Sequence, residues 1–178
     1  MNKDIERILF DESALSSAIK SLGEKITADY FGKRPLLIWV LKGSVVFMTD
    51  LMRAIDLDCE IDFMTAKSYG NETVSSGRVE ITKYPDTSLT GRDLILIEDI
   101  YDTGRTLSHV CEMLQEKAPA SIKICTLLDK KVPKVGDRAA DYKCFDIENE
   151  FVVGYGLDYA QRYRALPYIG VLKKEIYQ

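Results

Sequence analysis

The stretch of sequence that decides the fold is Leu94-Ile95-Leu96-Ile97-Glu98-Asp99-Ile100-Tyr101-Asp102-Thr103-Gly104-Arg105-Thr106-Leu107. Its leading aliphatic residues, 94–97, predict a short strand that is buried on both faces. Two carboxylates, Glu98 and Asp99, follow at the carboxyl end of this strand, where open α/β sheets place their ligands. The loop 102–106 then begins an amphipathic helix that runs to Gln115. This order of strand, loop and helix predicts an α/β fold with a ligand site at the strand end.

The loop 102–106 has the chemistry of a phosphate-binding turn. Successive N–H groups at a helix N-terminus, a glycine that permits close approach and two threonine hydroxyls can together bind an anion. Glu98 and Asp99 would repel that anion, and they are better suited to accept hydrogen bonds from sugar hydroxyls. An acidic pair after a strand is more often a solvated loop end or a helix cap, but the attached loop favours binding. The stretch therefore predicts a site for a phosphorylated ribose.

Other nucleotide and metal motifs are missing from the sequence. The loop lacks the spacing GxxxxGK[ST] of a P-loop, and no GxGxxG follows a strand, which argues against a Rossmann dinucleotide site. The single histidine, His109, and the scattered cysteines argue against a zinc site. His109 is therefore expected to be a surface or structural residue.

Strands and helices alternate along the rest of the chain. Apolar residues at helical spacing follow the capping sequence Asp11-Glu12-Ser13, and they recur over 45–55. A polar stretch, 68–78, is long enough to be a lid rather than a tight turn. The alternation predicts a mostly parallel sheet with helices on both faces, in one domain over 1–178. Short apolar runs predict its further strands at 36–41, 59–65, 79–84 and 122–128.

Composition and charge argue against several classes of protein. The 178 residues are 46% hydrophobic and 29% charged, as in an ordinary globular domain. The net charge of −4 argues against a nucleic-acid-binding protein, because an acidic chain gains nothing from counterion release. The longest apolar runs are too short to span a membrane, and the polar segment 1–12 does not match a signal peptide. The four cysteines lack CxxC spacing and predict buried free thiols in a cytoplasmic protein.

The stretch 94–107 resembles the phosphoribosyl pyrophosphate (PRPP) motif of type I phosphoribosyltransferases, which is a run of aliphatics, two acids and then D-[ST]-G-x-T. The resemblance implies that family's fold, a central mostly parallel sheet flanked by helices with a core at about 36–150. It also implies a small hood that is built from the terminal segments, partly from the C-terminal one. Further segments resemble the hypoxanthine-guanine branch of the family: 41–44, 62–64, 67–70, 127–130 and 151–159.

The same resemblance assigns residues to PRPP. Glu98 and Asp99 would hold the ribose hydroxyls, and Arg164 would clamp the pyrophosphate, with Arg162 as a weaker candidate. A cis peptide between Leu41 and Lys42 would aim main-chain amides of the Leu41-Lys42-Gly43 segment at pyrophosphate. Ser68 and Tyr69 would belong to a mobile lid at about 68–80 that excludes water from the reaction. The 5-phosphate would be bound by Asp102, Thr103, Gly104, Thr106 and the backbone of Arg105.

The base and the metal are assigned in the same way. Lys130, with its neighbour Lys131 as the alternative, would donate to O6 of a 6-oxopurine, where adenine carries an amino group instead. Phe151 would stack on the purine, although a phenylalanine is more often a core residue, and the Val152 carbonyl would meet the ring edge. Asp158 would border the base and coordinate Mg²⁺. The magnesium ligands implied for this site are Glu98, Asp99 and Asp158.

The implied reaction is purine salvage by transfer of the 5-phosphoribosyl group from PRPP to N9 of hypoxanthine and guanine. Asp102 would accept the N7 proton of the base, and IMP or GMP would leave with pyrophosphate. The branch implies a homodimer or homotetramer. Two alternatives remain open: a sister enzyme that prefers xanthine, and a regulator of the same fold that binds RNA or DNA. The acidic charge and the retention of Asp102, Lys130 and Asp158 argue against the regulator.

Overall fold

The structure, a computed structural model, describes residues 2–68 and 79–178, apart from the side chains of residues 67, 68 and 79. In chain order the elements are β1 (Ile5–Phe10), α1 (Glu12–Asp29), β2 (Leu36–Leu41), α2 (Val45–Ala54), β3 (Glu60–Ser68), β4 (Val79–Lys83), β5 (Asp93–Tyr101), α3 (Arg105–Gln115), β6 (Ser121–Lys130), β7 (Tyr142–Ile147), β8 (Val152–Val153), β9 (Ile169–Leu172) and α4 (Lys174–Tyr177).

The larger sheet has six strands in the spatial order β4-β3-β2-β5-β6-β7. All neighbouring pairs are parallel except β3 with β4, which is antiparallel. The chain moves outward from β2 to β3 on one side and from β5 to β6 and β7 on the other. The strand order therefore reverses between β2 and β5, and such a switch point leaves a crevice at the carboxyl ends of the two strands.

Helices cover both faces of this sheet, as the alternation of strands and helices predicts. On one face, α1 and α2 pack on residues such as Leu37 and Ile95 in a large apolar cluster. On the other face, α3 buries Leu107, Val110 and Leu114 against the opposite sides of the same strands. Because β2 and β5 are covered twice, they are continuous apolar runs and not alternating ones.

The boundaries of β2 and α1 follow local sequence signals. The strand β2 occupies the predicted range 36–41. The helix α1 begins after Asp11, whose carboxylate accepts a hydrogen bond from the Ala14 N–H at 2.8 Å, as an N-cap does. Trp39, which the sequence could place in a core or an interface, is buried within the chain and contacts Phe63 edge to face.

The strand β5 is longer than its apolar run predicts. Pairing with β2 ends at Ile97, but pairing with β6 continues as far as Tyr101 opposite Asp129. Glu98 and Asp99 therefore lie in the last part of the strand and not after it. Beyond Ile97 the edge of β5 that faces β2 is unpaired and open to the crevice. Its pairing with β6 keeps the register of these residues fixed.

A second sheet of three strands, β1-β9-β8, joins the two terminal segments of the chain. The strand β1, which the sequence analysis did not predict, pairs antiparallel with β9, with Ile5 opposite Leu172. Ile5, Val153 and Leu172 are buried together in a small cluster. This sheet is the hood of the implied fold, and the segment after β8 brings Gly156 against Gly43 at the crevice.

The cysteine and membrane expectations can be compared with the described residues. All four cysteines are free thiols, as predicted, and Cys111 and Cys125 are buried. No helix among residues 2–68 and 79–178 is long and apolar enough to cross a membrane.

Candidate active site

Three segments meet where the carboxyl ends of β2 and β5 lie side by side. The peptide bond between Leu41 and Lys42 is cis, as the resemblance implies. Gly43 follows it and lies against Asp99, since a Cβ at Gly43 would be 1.6 Å from the Asp99 Oδ2. Gly156, with φ of 101°, lies against the Gly43 carbonyl, and its Cβ would be 2.2 Å from that oxygen. Side chains at these two glycines would displace either the acidic pair or the loop after β2.

The acidic pair is largely buried, and its two carboxylates differ in their hydrogen bonds. Burial and the neighbouring Asp99 charge raise the pKa of Glu98 well above its usual range, and its buried Oε2 has no hydrogen-bond partner among the described residues. Burial also raises the pKa of Asp99, although its Oδ1 accepts from the Ile100 N–H at 3.0 Å and Arg164 favours its charge. The Glu98 Oε2, a buried acceptor without a donor, is suited to a ligand that brings a hydroxyl or a cation.

The predicted phosphate loop forms the N-terminus of α3. Gly104 is the N-cap residue, with φ of 80°, and the Tyr101 ring leaves no room for a Cβ there. The first N–H groups of α3 point into the space before the helix, where the helix dipole favours an anion. A cavity of about 190 Å³ lies at this point, lined by Glu98 and residues 100–107. The structure thus brings Glu98 of the acidic pair and the loop to one cavity.

Lys130 lies at the end of β6 and reaches toward the same loop. Its Nζ is 3.2 Å from the Asp102 Oδ2, and its side chain is only 12% exposed. The alternative, Lys131, is 58% exposed and forms an ion pair with Glu148 at 2.7 Å. Lys130 and not Lys131 is therefore the lysine that lies beside the candidate site.

The hood contributes Phe151 and Val152. The Phe151 ring is partly exposed and stacks on Tyr177 of α4, with centroids 4.6 Å apart and planes 22° apart. Tyr159 meets the same ring edge to face at 5.6 Å. Val152 is buried and pairs with Val171 of β9. Phe151 is therefore not a core residue, and one of its faces is already covered by the hood.

Asp158 and Arg164 form an ion pair at the rim of the hood. An Arg164 guanidinium nitrogen lies 2.7 Å from the Asp158 Oδ1, and another donates to the Gly156 carbonyl at 2.7 Å. Arg162 instead pairs with Asp4 of the N-terminal segment at 3.3 Å. The structure therefore favours Arg164 as the arginine of this site.

Other predicted residues lie at the edge of the site or outside the residues that the structure describes. Lys42 is exposed beside the acidic pair, and the side chains of Thr103 and Thr106 lie in the loop. Ser68 ends β3, but its side chain and Tyr69 lie outside the described residues, so the lid stays a prediction. His109 is an exposed residue of α3. Within residues 2–68 and 79–178 no group of three or more His, Cys, Asp or Glu side chains is placed to hold a metal alone.

A larger cavity of about 650 Å³ lies between α1, α2 and residues 164–167. Of the predicted site residues only Arg164 lines it. The candidate site is therefore placed by its chemistry and not by cavity size.

Sequence reasoning missed three residues of the site. Gly156 supports Gly43, Tyr177 covers Phe151, and Lys134 binds the backbone of two strand ends. Gly156 lies in the quoted segment 151–159, and its spacing after Gly154 was the available signal. No local pattern distinguishes Lys134 or Tyr177 from surface residues, because their contacts are with distant parts of the chain.

Comparison with known proteins places this fold and site in a family. Residues 7–160 match the phosphoribosyl transferase domain model. The chain therefore belongs to the phosphoribosyltransferase family, as the PRPP motif predicts.

Similar proteins indicate a branch within that family. The chain is 53% identical over 177 residues to a hypoxanthine-guanine phosphoribosyltransferase of Streptococcus thermophilus, covering 99% of this chain and 98% of that one. A protein of the same name from Streptococcus agalactiae is also 53% identical over 177 residues, with the same coverage. A solved hypoxanthine phosphoribosyltransferase from Staphylococcus aureus superposes with a TM-score of 0.93 at 44% identity, covering 98% of this chain and 95% of that one.

Proposed function

We propose that the protein transfers the 5-phosphoribosyl group of PRPP to N9 of hypoxanthine and guanine, giving IMP or GMP and pyrophosphate. The observation that carries the proposal is the tip of β5, where Glu98 and the N-terminus of α3 line one cavity and Lys130 pairs with Asp102 at its edge. The names of the similar enzymes support the same substrates.

Each part of the site would bind a different part of PRPP. Glu98 and Asp99 would accept hydrogen bonds from the ribose hydroxyls, which supplies the donors that Glu98 lacks. The 5-phosphate would bind the loop 102–106 through backbone N–H groups and threonine hydroxyls. The Leu41-Lys42-Gly43 segment and Arg164 would hold the pyrophosphate.

The acidic groups also fit Mg²⁺. The partnerless Glu98 oxygen, with Asp99 beside it, is the hard oxygen chemistry that this ion prefers, and Asp158 at the rim offers a third carboxylate. These residues would hold the ion together with pyrophosphate oxygens. When bound, it would neutralise charge on the departing pyrophosphate.

The Lys130–Asp102 pair fits one edge of a 6-oxopurine. O6 accepts and the N7–H of the N7-protonated base donates, so a neighbouring ammonium and carboxylate match both groups. As N9 bonds to C1 of the ribose, the C1–O bond to pyrophosphate breaks, and Asp102 would take the proton from N7. Phe151 would stack on the ring and the Val152 carbonyl would meet its edge.

The remaining expectations are part of the same proposal. Ser68 and Tyr69 would close over the reacting sugar as a lid, and the protein would form a homodimer or homotetramer. Its free thiols are consistent with a reducing cytoplasm.

A spectrophotometric assay with PRPP and Mg²⁺ tests the proposal. We expect turnover with hypoxanthine and guanine, and none with adenine or uracil. A clear preference for xanthine would support the sister enzyme instead. Absence of turnover with every purine, in protein that binds IMP, would contradict the proposed activity and favour a regulator.

A further inference from the structure

Lys134, in the connection between β6 and β7, binds the ends of both strands that carry the site. Its Nζ donates to the carbonyls of Tyr101 at 2.7 Å, Asp102 at 2.8 Å and Lys130 at 2.6 Å. The same nitrogen lies 2.8 Å from the Asp129 Oδ1 and 4.4 Å from the centre of the Tyr101 ring. One ammonium therefore contacts both strand ends and the first residue of the phosphate loop.

The positions of these acceptors explain the contact. Tyr101 and Asp129 lie opposite each other where the pairing of β5 with β6 ends, and Asp102 and Lys130 are the next residues on each strand. Here the backbone carbonyls of two strands point at a common space, and their dipoles repel each other without a cation. The three protons of the ammonium face four acceptors, the three carbonyls and the Asp129 carboxylate, so one proton is shared between two of them. The Lys134 side chain is 23% exposed, so water competes little for these hydrogen bonds.

The same connection makes three further hydrogen bonds, one each with the loop, α3 and β5. The Val135 N–H donates to the Thr103 carbonyl at 2.7 Å, and the Ser108 hydroxyl donates to the Val135 carbonyl at 3.0 Å. The Tyr101 hydroxyl donates to the Arg138 carbonyl at 2.5 Å. Residues 134–138 therefore pack along the loop and its neighbouring elements. Among them, Lys134 is the residue whose charged side chain binds the strand ends.

We propose that Lys134 is a positioning residue that fixes the base-binding ammonium of Lys130 relative to the phosphate loop. It touches no substrate atom in this arrangement, but it sets the separation of Lys130 and Asp102, whose side chains are 3.2 Å apart. The inference rests on the proposed function, because it assigns the base to one strand end and the 5-phosphate to the other. Loss of the ammonium should therefore impair both substrates together.

The test compares Lys134→Met, which keeps the aliphatic stem, with Lys143→Met as the matched control. Lys143 Nζ lies 3.1 Å from the other oxygen of Asp129, so the control removes a charge from the same carboxylate without touching the carbonyls. We expect Lys134→Met to raise the KM for PRPP and the KM for hypoxanthine by about tenfold each, the loss for one charge-assisted contact. Lys143→Met should change both by less than about twofold. Lys134→Arg should recover most of the loss.

Hydrogen exchange of the peptide 101–107 gives a readout that needs no turnover. We expect faster exchange in Lys134→Met than in wild type or Lys143→Met, at a temperature where all three are folded. If Lys134→Met does not fold, Lys134→Gln keeps a donor without the charge and serves in its place.

The outcomes separate the two proposals. A wild-type protein without activity contradicts the proposed function, while exchange still tests the contact. An active wild type with equal KM values in Lys134→Met and Lys143→Met overturns the positioning role. A lowered Tm with both KM values unchanged would also overturn it, since it would show a merely structural contact.

Discussion

At the scale of single residues, the acidic pair at the end of β5 destabilises the unliganded folded state. Glu98 and Asp99 are adjacent, burial raises the pKa of both, and one Glu98 oxygen has no partner among the described residues. Uncompensated buried carboxylates destabilise a folded state, and substrate hydroxyls or a cation would remove that penalty. The proposed function would explain the pair, because its substrate or Mg²⁺ would remove the penalty.

We expect Glu98→Gln to stabilise the unliganded protein and to remove most of its turnover. Because the folded state raises the pKa of Glu98, it binds the proton more tightly than the unfolded state does. The stability from this group is fully present below the unfolded-state pKa and is lost as pH rises through the folded-state pKa. The variant should raise Tm by about 2–4 °C at pH 7, the shift for roughly 1 kcal/mol, and by much less near pH 4.5. Equal shifts at both pH values in thermal unfolding would contradict this titration.

We expect Lys130→Met to raise the KM for hypoxanthine by at least about tenfold, because a buried charge-assisted hydrogen bond to O6 would be lost. The KM for PRPP should change less. Lys131→Met is the matched control, since that lysine pairs with Glu148 in solvent. Steady-state kinetics of the two variants test this prediction. Equal KM values for hypoxanthine in Lys130→Met and Lys131→Met would contradict a contact between Lys130 and O6.

Asp102→Asn should lower kcat with hypoxanthine by about 10²–10⁴-fold, because an amide cannot accept the N7 proton. The ion pair with Lys130 is lost as well, so Tm should be measured beside turnover. Unchanged kcat in the folded variant would show that the proton leaves by another route.

At the scale of elements, the sequence predicts what local pattern determines. The range of β2 and the cap of α1 follow from adjacent residues, and both were predicted correctly. The end of β5 was placed too early, because its last residues are held by pairing with β6 and not by their own hydrophobicity. The strand β1 was missed, since its pattern is interrupted by bulges and its partner is β9.

Local sequence predicts some residues of the candidate site and not others. The loop 102–106 and the acidic pair are contiguous in sequence, so the motif alone placed them. Lys134 follows the run Lys130-Lys131 in a basic segment that a sequence reader assigns to solvent. Its role depends on two strand ends meeting in space, and that information is absent from any local window.

The helix α4 contacts the proposed base site through the ring of Tyr177. Tyr177 lies with the apolar cluster of the hood and stacks on Phe151, and in the proposed function the opposite face of Phe151 would stack on the purine. We expect Tyr177→Ala to raise the KM for hypoxanthine by about two- to tenfold, since an aromatic pair contributes about 0.5–1.5 kcal/mol. Tyr177→Phe should restore it, and the KM for PRPP should not change. Equal effects on both substrates would indicate a general loss of hood structure.

At the scale of the whole molecule, the two apolar layers of the larger sheet bury two of the four thiols. Cys111 and Cys125 lie within the two apolar clusters on opposite faces of the larger sheet. Burial raises the pKa of Cys111 to about 11 and that of Cys144 to about 12. The two buried thiols, Cys111 and Cys125, can react only when the surrounding layers open.

We therefore expect the native protein at pH 8 to react with a thiol reagent in distinct phases. Cys111 should react at least about a hundredfold more slowly than in denaturant, since each pKa unit lowers the thiolate fraction tenfold. Cys59, which is partly exposed, should react first. A single fast phase for all four thiols would show that the layers are open on that timescale.

The pairing of β1 with β9 has a consequence during synthesis on the ribosome. Ile5 is among the first residues made, yet its partner Leu172 is translated only after the whole larger sheet. At 5–20 residues per second the N-terminal strand waits on the order of ten seconds with an open edge. The nascent chain can thus assemble the half that carries the loop 102–106 early, whereas the half that carries Phe151 and Arg164 is completed last.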